Sequence, residues 1–148
     1  MKPEASHALE RLMQALIGDV APAVAPAYRQ ASVTVHALMV GAVREELDRA
    51  ASRRVEENRA LRGLFRDTAG IVADGALRAR LADAAAAEDA SLLVPALEAS
   101  NRALRSLLVE LHVHVEDLPG EAARRVEAAI WRELAASTER RKLALGPY

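Results

Sequence analysis

Asn101, Arg105, His112 and Glu116 put an amide, a guanidinium, an imidazole and a carboxylate on one stretch of chain. At 100° per residue His112 and Glu116 lie one turn apart on a helix face, and Asn101 and Arg105 fall within about 40° of it. Converging in a bundle, such groups could hold a small polar ligand, a metal ion or a proton in transit. The same residues also suit a solvated, ion-paired helix edge, with Glu98 and Arg102 beside them. His36 lies on an apolar line between Ser32 and Val40, which predicts a mostly buried, neutral imidazole bonded to a helix carbonyl or to Ser. Asn58 and Asn101 interrupt otherwise apolar lines, and a buried amide without partners costs about 1–3 kcal/mol. The two are expected to pair across helices and fix register, as single polar residues do in coiled coils. Together His36, Asn58, Asn101, Arg105, His112 and Glu116 form the candidate ligand-binding set.

Other chemistries find no support. A di-iron bundle needs Glu-x-x-His on two helices and a Glu on each of two more, and here Glu4-Ala5-Ser6-His7 stands alone. No Gly-x-Ser-x-Gly elbow or Gly-rich phosphate loop is present. The absence of Cys removes thiolate ligands, cysteine nucleophiles and disulfides. No catalytic residue, metal ligand or cofactor is assigned.

The elements that must position these residues are helices. Alanine accounts for 33 of 148 residues and the basic residues are 18 Arg against 2 Lys, with Leu and Glu filling much of the rest, all strong helix formers. No β-branched, aromatic run is bounded by turn residues. A first helix is predicted near 3–17, opened by Pro3 and closed by Gly18-Asp19, followed by a stiff Ala-Pro connector at 20–26. Further junctions fall at Gly70 to Gly75, at Glu88 to Ser91 and at Leu118-Pro119-Gly120. The last helix carries Arg-Arg-Lys at 140–142, where cations suit the helix dipole, and Gly146-Pro147 ends the order. The expectation is one domain over 1–148, an all-α antiparallel helical bundle of four principal helices with shorter flanking ones.

Between Pro26 and Val72 one helical line runs through Ser32, His36, Met39, Val40, Val43, Leu47, Ala50, Asn58, Leu61, Phe65, Thr68 and Val72. A single helix of that length is roughly 70 Å, more than a compact domain about 40 Å across can hold, so a break is expected at Asp48 to Ser52 unless the molecule is elongated or dimeric. An internal echo supports the break. Asn58 to Phe65 matches Asn101 to Leu108 at an offset of 43, identical at six of eight positions, and the same offset aligns Glu88 to Ser91 with Glu45 to Asp48. The basic segment 49–66, with six Arg against Glu56 and Glu57, reads as a solvated helix face.

A net charge of −1 argues against a nucleic-acid partner. The first residues carry Glu4, Glu10 and Arg11 where a secretory signal needs an apolar run, and the longest uncharged stretch with large apolar residues, Gln30 to Val43, is too short to span a bilayer. A cytoplasmic location without a membrane partner is expected. Leu107, Val109 and Val113 lie off the main apolar face of their helix, so more apolar stripe is present than one narrow bundle can cover. The expected role is a non-enzymatic interaction or assembly module, self-associating as a homodimer. The alternative is a bundle with a buried polar site for a small molecule or metal.

Overall fold

The computed structural model describes residues 4–143; Pro3 and Gly146-Pro147 lie outside them. Of the described residues 86% are helical and none forms a strand, so the chain is an all-α bundle. Helix α1 (Ala5–Ala15) passes into a wide π turn at Leu16–Val20 and a single turn at Ala21–Ala23. Gly18 therefore does not close the first helix. Glycine stops a helix by taking a left-handed φ, and among the described residues only Gly120 has one, at 107°.

Helix α2 (Ala27–Thr68) is unbroken over 42 residues, about 63 Å. The break expected at Asp48 to Ser52 is absent. No Gly or Pro lies between Ala42 and Arg62 to force one, and the Glu45–Arg49 ion pair supports the turn in question. Instead the described residues divide into two compact units, one running up to Ala50, the other Ala51–Lys142.

In the first unit α1 runs antiparallel to the start of α2. Ser6 Oγ donates to Asp48 Oδ2 at 2.7 Å, and Arg44 pairs with Glu10 at 3.5 Å. Its buried apolar side chains are all small: Ala21, Ala37 and Ala50. In the second unit the remainder of α2 packs with α3 (Gly75–Ala86), α4 (Val94–Glu116) and α5 (Glu121–Arg141). Phe65, Leu81, Leu111 and Ile130, one from each helix, are fully buried at its centre. Leu107 also joins this core, so only Val109 and Val113 of the three expected off-face residues are exposed.

The helix ends follow local chemistry. Asp74 caps α3, its carboxylate accepting from the amides of Ala76 at 2.8 Å and Leu77 at 3.0 Å. Ser91 Oγ accepts from Leu93 N at 3.1 Å just before α4, whose first turn holds Pro95. Gly120 turns the chain into α5 with a φ that a side chain would strain.

The long line on α2 is thus split in its surroundings. Ala50, Asn58, Leu61 and Phe65 are buried, whereas Ser32, His36, Met39, Val43 and Leu47 on the same line are exposed. His36 is therefore not the core histidine that its apolar company suggested. Its Nδ1 lies 2.7 Å from Ser32 O, the carbonyl partner expected, but on a solvent-facing turn.

Candidate functional site

Asn58 and Asn101 meet at the centre of the second unit. Asn101 Nδ2 donates to Asn58 Oδ1 at 3.0 Å, the cross-helix pair that their interruption of two apolar lines predicts. Neither amide stops there. Asn101 Nδ2 also donates to Glu57 Oε2 at 3.2 Å, while Asn58 Nδ2 donates to Asp89 Oδ1 at 2.9 Å and to Leu97 O at 3.3 Å. Each carboxylate is in turn clamped by an arginine. Arg141 reaches Glu57 through Nε at 2.8 Å and Nη2 at 2.6 Å; Arg62 reaches Asp89 at 2.8 and 3.1 Å and adds a bond to Ser100 Oγ at 3.0 Å.

The two sides of the Asn pair share a partial symmetry of pattern that follows the internal echo of the sequence. Asn58 with Arg62 and Asn101 with Arg105 are equivalent positions of the echo at offset 43, and each Asn presents its amide to a carboxylate held by a bidentate guanidinium. The symmetry stops at the clamps. Arg62 takes Asp89 itself, whereas its counterpart Arg105 donates to Ser137 Oγ at 3.3 Å and leaves the clamping of Glu57 to Arg141.

Glu57 is the hub that sequence reasoning missed. It is 1% exposed and accepts from Ser137 Oγ at 3.0 Å as well as from Arg141 and Asn101. Four donors on two oxygens occupy the acceptor sites a carboxylate has. Burial alone would raise its pKa; Arg141, Ser137 and the nearby charge of Arg105 outweigh that, and the group is held below its ordinary value. Such a carboxylate is a poor general base, because its lone pairs are spent and its charge is wanted where it is. Asp89 is likewise held low, chiefly by Arg62, against the opposing effect of burial. Glu133 goes the other way. Burial raises it, and the Arg140 pair only partly compensates.

The chain matches no known family, no characterised protein and no solved structure. Its site is therefore read from geometry alone.

The remaining candidates do not converge on the Asn pair. Arg105 borders the cluster through Ser137, but His112 and Glu116 sit further along α4. His112 Nε2 is 3.5 Å from Glu116 Oε1, and its ring meets Trp131 edge-on, centroids 5.3 Å apart at 88°. The expected group of four is thus two pairs, because Asn101 and His112 stand about three turns apart on α4, roughly 16 Å along its axis, and α5 sets Ser137 beside Arg105 and Trp131 beside His112. His36 belongs to the first unit. Among the described residues no group of three or more His, Cys, Asp or Glu comes together as a metal site would need. The basic segment is not simply a solvated face either: Arg54 pairs with Glu98 at 2.6 Å, Arg62 with Asp89, and Arg66 donates to Ala85 O at 3.2 Å at the end of α3. Above Asn101 a shallow cavity of about 360 Å³ opens between Arg102, Arg105 and Arg141.

These shifts fix the acid behaviour. Glu57 and Asp89 have folded pKa values below their ordinary 4.5 and 3.8, so they stabilise the fold fully above those values and lose that contribution as pH falls through the folded ones. Glu133, raised, acts with opposite sign and gains on protonation at a higher pH. Urea midpoints are therefore expected to hold or rise slightly from pH 7 to about 5 and to fall steeply below about 4.5. Glu57→Gln should flatten that acid arm; a variant retaining the parent's full acid loss would show that Glu57 is not its source.

Proposed function

We propose that the protein is a non-enzymatic assembly module that associates with a second copy of itself through the first half of α2. The observation carrying this reading is the continuity of one helical line that is core from Ala50 onward and exposed before it. Tyr28, Val35, Met39, Val43 and Leu47 are between 53 and 68% exposed, and the charged residues on that face, Arg29 and Glu46, stand only at its two ends. The unit they belong to buries only alanines among its apolar side chains, too little to order two helices by itself. A second copy supplies the missing cover. Among the described residues no helix is long and apolar enough to cross a membrane. The polar cluster at Asn58 and Asn101 is read as a register lock rather than a ligand site, since its groups are spent on one another.

Light scattering tests the proposal directly. At micromolar concentration the parent is expected at twice the 15.9 kDa chain mass, and Val35→Glu with Met39→Glu at the chain mass with an unchanged helical spectrum. A parent that runs as a monomer throughout would overturn it.

A second reading keeps a ligand. It rests on the cavity above Asn101, where Arg102 has no hydrogen-bonding or ionic partner among the described residues and Arg105 and Arg141 lie close by. Three guanidiniums around one opening, against the single carboxylate of Glu98 that Arg54 already holds, suit a small phosphoryl anion. If that is its use, inorganic phosphate should raise the melting temperature of the parent and not that of Arg102→Gln; no shift in either removes the reading.

A further inference from the structure

The exposed face of α2 has an internal symmetry that selects one way of covering it. Reversed about the midpoint between Ala37 and Leu38, its positions map onto one another: Tyr28 onto Leu47, Ser32 onto Val43, His36 onto Met39. A two-fold interface requires a patch that is complementary to itself. Resting on the self-association proposed above, we infer that two copies pair through this face with their α2 helices antiparallel, Tyr28 of one level with Leu47 of the other.

Three physical arguments favour this over a parallel pair. The first is volume. Antiparallel pairing sets the largest side chain, Tyr28, against Leu47 and the smallest, Ser32, against Val43, so the layer has even thickness. Parallel pairing sets Tyr28 on Tyr28 and Ser32 on Ser32, too thick at one level and hollow at the next. The second is charge. At the ends of the face, reversal brings Arg29 level with Glu46 of the second copy, whereas parallel pairing sets each beside its like. The third is the centre, where His36 meets the polarisable thioether of Met39 instead of a second polar imidazole. The area is adequate as well. Five large side chains at roughly 100 Å² apiece give about 500 Å² per copy, or about 1,000 Å² in all, the lower bound for a specific interface.

Because the chain has no cysteine, engineered ones report orientation without background. Tyr28→Cys and Leu47→Cys would be prepared singly and also co-refolded as an equimolar mixture, each then treated with a short bismaleimide. Both sites are exposed, so the fold tolerates them. The expected result is a linked dimer in the mixture at several times the yield of either variant alone. Efficient linking of Tyr28→Cys to itself, with no gain on mixing, overturns the antiparallel geometry while leaving self-association intact. A dimer by light scattering that links in none of the three samples overturns the assignment of this face. A monomer by light scattering overturns the reading beneath it.

Discussion

Glu57→Ala is expected to destabilise the protein by about 3 kcal/mol, the largest single-residue effect on its fold. The substitution leaves Asn101 Nδ2 with one partner fewer, frees Ser137 Oγ from its acceptor and removes the counter-charge of Arg141. Truncating one member of a fully buried ion pair costs about 3–5 kcal/mol, but the Arg141 side chain is 47% exposed and can turn to water, which places the value at the low end. For a chain this size the loss corresponds to a fall in melting temperature of roughly 6–12 °C. The check is the denaturant midpoint at constant m-value; a loss below about 0.5 kcal/mol would mean that the four donors around Glu57 are satisfied as well by water.

The second large effect is the coupling between Asn58 and Asn101. If the two amides bonded only to each other, replacing both by Leu would restore what each single change lost. Their geometry forbids that. Asn58 also serves Asp89 and Leu97 O, and Asn101 also serves Glu57 and accepts from Arg141 Nη2 at 3.4 Å, so the double variant leaves several polar groups unpartnered. Each single change to Leu is expected to cost about 2 kcal/mol, and the double change less than the sum by about 1 kcal/mol, because one bond is lost in common. The double variant should still fall below the parent. Strict additivity in a thermal-unfolding cycle would show that the 3.0 Å Asn–Asn contact carries no energy; full restoration would show that the wider network carries none.

The parts of this organisation that were legible in the sequence are those carried by period. Ala, Leu, Arg and Glu gave the helices, and the line through Leu61 and Phe65 gave the core face of the second half of α2. The Asn pair was legible because an amide on an apolar line must find a partner. His36 failed for a physical reason: periodicity identifies a face but not what lies over it, and the line on α2 is covered at Asn58 and uncovered at His36. Glu57 was hidden by its neighbours. Standing four residues from Arg53 in a run of six arginines, it looked like half of a surface pair, and only its place beside Asn58 hinted that it turns inward. Arg141 was legible only as one of three cations at a helix end, and Ser137 not at all. That they cap a buried carboxylate depends on where α5 docks, which no local pattern encodes.

The absence of large buried side chains before Ala50 has a thermodynamic consequence. The second unit carries its own core and its own polar lock, so its folding equilibrium is set within one chain. Under the proposed self-association the first unit would gain its apolar burial from a second copy, and its order would then be linked to how much protein is present. Dilution would loosen the N-terminal hairpin while the part of the chain around Phe65 and Leu111 kept its full protection, and amide hydrogens in the two regions would exchange with different dependence on concentration.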